Sequence, residues 1–430
     1  MSVRHIALSA VLAGCVSLAC RADDWPQWRG PNRDGISHEI GLLKEWPKEG
    51  PKLLWQRTDL GDGYSTPAVV GGRIFLLSSR GLTNESVQAR DVEDGRLVWS
   101  TRIGNVGNPD QRPSYPTARS TPSVDGEWLY ALGSDGDLVC LAAATGQMRW
   151  HKNLRTDFGG KPGQWAYAES PLVDGEVLMC TPGGSHATLV ALNKETGAVV
   201  WKSAVPGGDD AGYASAIVVE AVGRKQYVQF LQKGLVGIDA KTGQFLWRYD
   251  KTGRGPANMP TAVTGGACVY TCNERSGFAG LARLSARAGA VVAEPAYYER
   301  GLPSSIGGAV QVNGYLYGTN SEGLARSDGL VCCEFATGKI RWKHPCLGSG
   351  SVCCADERIY VHGENGDVAL VELTPAAYHE KGRFTPPGQP KHVRFKEKAW
   401  PYPVVANGRL YIRDLGTLWC YDVKRPRTAR

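Results

Sequence analysis

Beyond its first 22 residues the chain has no apolar run long enough to cross a bilayer, which excludes a later transmembrane helix. It has no C-x-x-C-H for haem attachment and no H-E-x-x-H among its eight histidines, so neither a c-type haem nor a helical zinc site is expected. A phosphate-cradling glycine loop and a catalytic triad pattern are also missing. Basic residues are not clustered either. Lys plus Arg exceed Asp plus Glu by seven, the leader holds Arg4 and Arg21, and the remainder is scattered, which argues against a nucleic-acid partner.

What the chain has in quantity is glycine, proline and tryptophan, at 54, 25 and 13 residues of 430. They fall into a repeat. Residues 191–201 (ALNKETGAVVW) recur with variation at 89–99, 140–150, 237–247 and 332–342, and 420–424 keeps only the first half. Each copy reads as strand, glycine turn, strand ending in tryptophan, the glycine supplying the positive φ of a tight hairpin. A second signature precedes the copies, as in Ser65-Thr66-Pro67 and Ser120-Thr121-Pro122, and has eight starts along the chain. Four short strands per unit, at a spacing of roughly 40 to 50 residues, are the mark of a β-propeller blade. The fold expected is therefore all-β: an eight-bladed β-propeller over residues 51–424. Trp55 precedes the first start and the last unit lacks its tryptophan strand, so an N-terminal strand is expected to close the ring and cover an exposed edge. The fifth unit has lost its tryptophan, and 374–399 reads as an irregular, Pro-rich insertion.

Residues 1–22 have the basic start, apolar stretch and small-residue end of an export signal. Cleavage after Ala22 is expected, and lipid attachment at Cys15 within Leu12-Ala13-Gly14-Cys15 is the alternative. The chain is then exported, to the periplasm or the outer-membrane periphery. Residues 23–50 are expected to pack on the propeller, with Trp25 and Trp28 buried against it, and 425–430 form a basic, solvated tail. The molecule is expected to be a monomer.

Twelve cysteines in an exported chain suggest disulfides, but the repeat register gives another reading. Cys140, Cys332 and Cys420 share a column with Ala89, Ala191 and Gly237, a tight packing position where a thiol behaves as a small hydrophobe. The neighbours Cys332-Cys333 and Cys353-Cys354 lie on expected strands, where adjacent side chains point to opposite faces and ring closure would break the strand.

Candidate functional residues follow from the ring. The innermost strands of a propeller line its axis, so the residues opening them are candidates for a central funnel: Tyr64, Arg119, Glu169, Tyr213 and Asn258. The long segments leading into those strands carry Tyr115, Trp165 and Tyr167 among charges of both signs, a mixture suited to a partner-binding face. Trp55, Trp99, Trp150, Trp201, Trp247 and Trp342 are expected to seat one blade on the next. No catalytic or metal-binding residue is assigned.

The pattern A-x-[DN]-x-x-T-G-x-x-x-W, as in residues 191–201, resembles the repeat of the pyrroloquinoline quinone (PQQ) dehydrogenases and of the outer-membrane assembly lipoprotein BamB. More specifically, 24–35 (DWPQWRGPNRDG), 165–175 (WAYAESPLVDG) and 410–422 (LYIRDLGTLWCYD) resemble the exported PQQ-like propellers of planctomycetes and related bacteria. The resemblance implies an eight-bladed ring. It implies one of two functions: a non-catalytic envelope scaffold that binds a protein or polysaccharide and needs no cofactor, or a periplasmic alcohol or sugar dehydrogenase holding PQQ with Ca²⁺.

Overall fold

The computed structural model describes residues 24–110, 116–253, 255, 257–321, 327–391 and 398–426. Within them the strands form eight antiparallel sheets arranged as the blades of a ring. In chain order the blades span 68–104, 123–153, 172–203, 217–249, 263–300, 309–344 and 350–384, and the eighth joins 404–422 to Lys52–Arg57. That last pairing closes the circle, with Trp55 opposite Cys420 and Lys52 opposite Asp422. The terminal blade thus loses its free edge, which would otherwise offer unpaired amides to another chain.

The turn motif builds the outer half of each blade and the contact with its neighbour. In blade 3 the carboxamide oxygen of Asn193 accepts from the amides of Glu195 and Thr196, and Gly197 turns the chain at φ 70°. Asp239 does the same for Lys241 and Thr242 in blade 4. The tryptophan of the preceding blade lies on this turn. The indole N–H of Trp99 donates to Ala143 O at 3.1 Å, that of Trp150 to Lys194 O at 3.0 Å, and that of Trp201 to Ala240 O at 3.2 Å. Trp55 reaches Val92 O at 3.0 Å from the closing strand, and Trp342 reaches Thr374 O at 2.9 Å. The turn glycine is needed twice over, because a Cβ on Gly146 would stand 2.5 Å from the Trp99 ring and one on Gly243 would stand 2.6 Å from Trp201.

Blades 5 and 7 depart from the pattern. In blade 5 the long strands Phe278–Arg287 and Ala290–Arg300 meet in a direct hairpin. Blade 4 therefore has no four-residue turn to dock on, and Trp247 donates instead to Gln226 of its own blade at 2.6 Å. On its other side blade 5 uses Tyr297, whose hydroxyl donates to Phe335 O at 2.9 Å, the position a tryptophan takes elsewhere. The segment 374–399, expected to be irregular, contains the strand Glu380–Phe384 that completes blade 7. Its charged, glycine-containing sequence hid it: an edge strand with one exposed side has little apolar alternation to show.

Residues 24–37 pass over the axis on one face and tie the ring together. Trp25 pairs with Val69 of blade 1, Pro26 O accepts from Val124 N of blade 2, and Ile36–Ser37 runs parallel to the inner strand of blade 7. Arg33 donates to Ser170 O and Pro171 O beside blade 3, and Arg29 to Ala309 O of blade 6. Both guanidiniums are buried, so each replaces lost hydration with charge-assisted bonds to backbone carbonyls. Trp25 is buried, whereas Trp28 is only partly covered and projects its ring into the axial space.

The ten described cysteines are free thiols. Cys332 and Cys333 enter different inter-blade cores, and so do Cys353 and Cys354, as strand alternation requires. Residues 1–22, expected to be an export signal, and Cys15, Tyr115 and most of the basic tail lie outside the described residues. No helix among the described residues is long and apolar enough to cross a membrane.

Candidate functional site

In a four-stranded antiparallel blade, the turns between strands one and two and between three and four emerge on one face. The second-to-third turn and the crossover to the next blade emerge on the other. The N-terminal segment lies on the first face, where Asp24 accepts from Gly71 N. The second face opens on a central cavity of about 160 Å³.

Its walls are aromatic. Six rings meet there in three pairs: Tyr64 with Trp400 at 4.8 Å, Trp165 with Tyr213 at 5.6 Å, and Trp28 with Tyr402 at 4.6 Å. All are tilted or edge-to-face, the arrangement that ring quadrupoles favour. Backbone bonds from neighbouring crossovers hold them: Tyr64 N donates to Ala118 O, Tyr213 N to Asn258 O, and Trp165 N to the Tyr213 hydroxyl. The indole N–H of Trp28 donates to Thr261 Oγ1 at 2.8 Å.

Charged groups of both signs share the cavity. Arg119 donates to Thr117 O at 2.9 Å and lies 5.6 Å from the centre of the Tyr64 ring. Arg275 sits at the exposed rim, 5.7 Å from the centre of Trp165. Glu364 accepts from Lys398 Nζ and, at 3.3 Å, from the indole N–H of Trp400. Glu274 is 3% exposed, and its carboxyl makes no hydrogen bond to another described residue. Burial, reinforced by the Glu364 carboxylate, pushes its carboxyl up to about 7.

Of the five funnel candidates, Tyr64, Arg119 and Tyr213 line the cavity. Glu169 and Asn258 do not. Glu169 is buried behind the wall, where its carboxylate accepts from Thr181 N and from Gln229 Nε2, and burial raises it to about 7. Asn258 joins blades 4 and 5, its amide donating to Leu231 O and Gln232 O and accepting from Asn273. The reason is register. The lining residue stands four positions ahead of the inner strands that begin at Ala68, Ser123, Leu172, Ile217 and Val263, which selects Tyr64, Arg119, Ala168, Tyr213 and Met259. Glu169 and Asn258 are each one residue off, and one residue turns an extended side chain to the other face.

The candidate partner face divides as well. Trp165 walls the cavity, but Tyr167 is buried in the core between blades 2 and 3, its hydroxyl donating to Pro182 O at 2.8 Å. The lead-in segment folds down because Leu154–Phe158 forms a short helix, capped by Asn153 and by Gly159 at φ 66°, that buries Leu154 and Phe158. Glu274, Glu364, Lys398 and Trp400 were missed by sequence reasoning. The first two lie in second-to-third-strand turns, and the repeat marks only crossovers and outer hairpins.

The chain matches the family described as outer membrane protein assembly factor BamB over residues 39–162 and 84–344. The BamB of Burkholderia pseudomallei is 28% identical over 252 residues, covering 48% of this chain and 61% of that protein. For the BamB of Yersinia pestis the figures are 25% over 239 residues, 52% and 55%. The chain thus spans little more than half the length of these relatives. A tetrathionate hydrolase of Acidithiobacillus ferrooxidans is 22% identical over 232 residues, covering 46% of this chain and 42% of that one. Among solved structures, Moraxella catarrhalis BamB superposes with a TM-score of 0.57 at 16% identity, over 85% of this chain and 96% of that one. A europium-containing methanol dehydrogenase superposes at 0.62 and 11%, over 91% and 89%. At these identities the structural likeness establishes the fold alone.

Proposed function

Starting from the fact that the chain belongs to the BamB family of β-propellers, we propose that it is a non-catalytic binding scaffold of the cell envelope, exported to the periplasm or the outer-membrane periphery, with a protein or polysaccharide partner. The observation that carries this reading is the axial cavity: paired aromatic rings with ion-paired or ring-stacked charges at its rim. Such a lining gives shape and hydrogen-bond selectivity to a bound group.

The quinone alternative fits these residues poorly. Calcium takes six to eight oxygen ligands, several from carboxylates. Among the described residues no three His, Cys, Asp or Glu side chains converge. The two cavity carboxylates are Glu364, already paired with Lys398, and Glu274, raised to about 7 by burial.

Capture from a detergent-solubilised envelope fraction on the immobilised chain tests the reading. It predicts saturable retention of one protein or polysaccharide, weakened by Trp165→Ala. Retention of nothing above an inert-bead control would overturn it.

A further inference from the structure

The cavity constrains its own ligand. A ring-sized volume of about 160 Å³ is lined by six aromatic side chains, a wall that favours a ligand with apolar faces. The Glu274 carboxyl is buried there with no hydrogen-bond partner among the described residues, and such a carboxyl is costly unless something arriving from the cavity bonds to it. Charge selects further. Arg119, Arg275 and Lys398 disfavour a cationic ligand, and Glu274 and Glu364 disfavour an anionic one. What remains is an uncharged ring with C–H faces and hydroxyl edges.

Resting on the scaffold reading above, we propose that the axial cavity is a binding site for one neutral pyranose unit, its faces against Trp165 and Trp400 and a hydroxyl bonded to Glu274. A hydroxyl suits this carboxyl in either protonation state, donating to the carboxylate or accepting from the acid. Trp28, Tyr402, Arg119 and Lys398 line the same cavity, and the two cations can donate to the remaining hydroxyls of the ring.

The test is titration of the full chain with D-glucose, maltotriose, D-glucosamine and D-glucuronate, followed by tryptophan fluorescence and saturation-transfer NMR. The expected result is saturable binding of the two neutral sugars with a dissociation constant of ~1 mM, and weaker binding of both charged ones. Tighter binding of maltotriose than of glucose assigns the ligand to the end of a glycan, and equal binding to a free sugar. Glu274→Ala is expected to weaken binding about tenfold without lowering the melting temperature, because the carboxyl supports no other described residue. Trp400→Phe tests the wall by a milder change and is expected to weaken binding by a smaller factor. The proposal is overturned if neither neutral sugar binds a chain of native circular dichroism, if either charged sugar binds more tightly, or if Glu274→Ala binds unchanged. Such a failure with envelope capture intact sinks the pocket assignment alone, whereas loss of capture sinks the scaffold reading.

Discussion

At the scale of single residues, the tryptophan that ends an outer strand acts on the next blade's turn. Trp99 covers Gly146 and donates to Ala143 O, so Trp99→Ala removes an indole from a half-buried seam and leaves a carbonyl unpaired. A loss of about 2–4 kcal/mol in unfolding free energy is expected from urea denaturation. Tyr297→Phe, which deletes only a hydroxyl donating to Phe335 O, is expected to cost about 1 kcal/mol by the same measurement. Titration adds a second residue-scale prediction. Glu85, Glu169 and Glu274 are each raised by burial from an ordinary 4.5 to about 7. In this window the unfolded chain releases protons that the folded chain keeps, so their contribution to stability is complete below pH 4.5 and is lost as pH rises through 7. Glu85→Gln keeps the acceptor for Ser134 N, and the decline in melting temperature between pH 5 and pH 7.5 is expected to become shallower in that variant. The docking tryptophans were legible in the sequence because they repeat. Glu274 was not, since it lies in a second-to-third-strand turn that the repeat does not mark, and Glu169 was misplaced because a one-residue slip in an extended segment exchanges wall for core.

At the scale of elements, closure rests on Lys52–Arg57, a strand far in sequence from the blade it completes. It was legible as a tryptophan without a unit facing a unit without a tryptophan. Deleting residues 24–57 uncovers the strand Thr417–Asp422, with Trp419 and Tyr421, and also removes the segment that bonds to blades 1, 2, 3, 6 and 7. The truncated chain is expected to melt more than 10 °C lower and to elute as oligomers in size-exclusion chromatography, as an unpaired edge recruits other chains. A monomeric profile with unchanged melting would show that the strand adds nothing to the ring. The elements that escaped sequence reading are those where the repeat decays. Blade 5 exchanges a glycine turn for a direct hairpin and a tryptophan for Tyr297, and blade 7 draws its fourth strand from a charged segment with no apolar alternation.

At the scale of the whole molecule, the proposed scaffold would keep structure and recognition on separate parts of the ring. Outer seams carry the docking aromatics, one face carries the N-terminal segment, and the other opens on six rings with five charged side chains. The fold is shared by assembly factors and by quinone enzymes, so the ring itself does not choose between them. The scaffold reading proposed above rests on the axial residues, because a calcium-held quinone requires a convergent set of oxygen ligands and the described cavity residues offer an ion-paired carboxylate and a carboxyl raised to about 7. The most direct measurement is a titration of the purified full chain with PQQ and Ca²⁺ by absorption spectroscopy, with alcohol-driven dye reduction read on the same samples. The account predicts neither a saturable spectral change nor dye reduction. Stoichiometric, Ca²⁺-dependent uptake accompanied by dye reduction would contradict it.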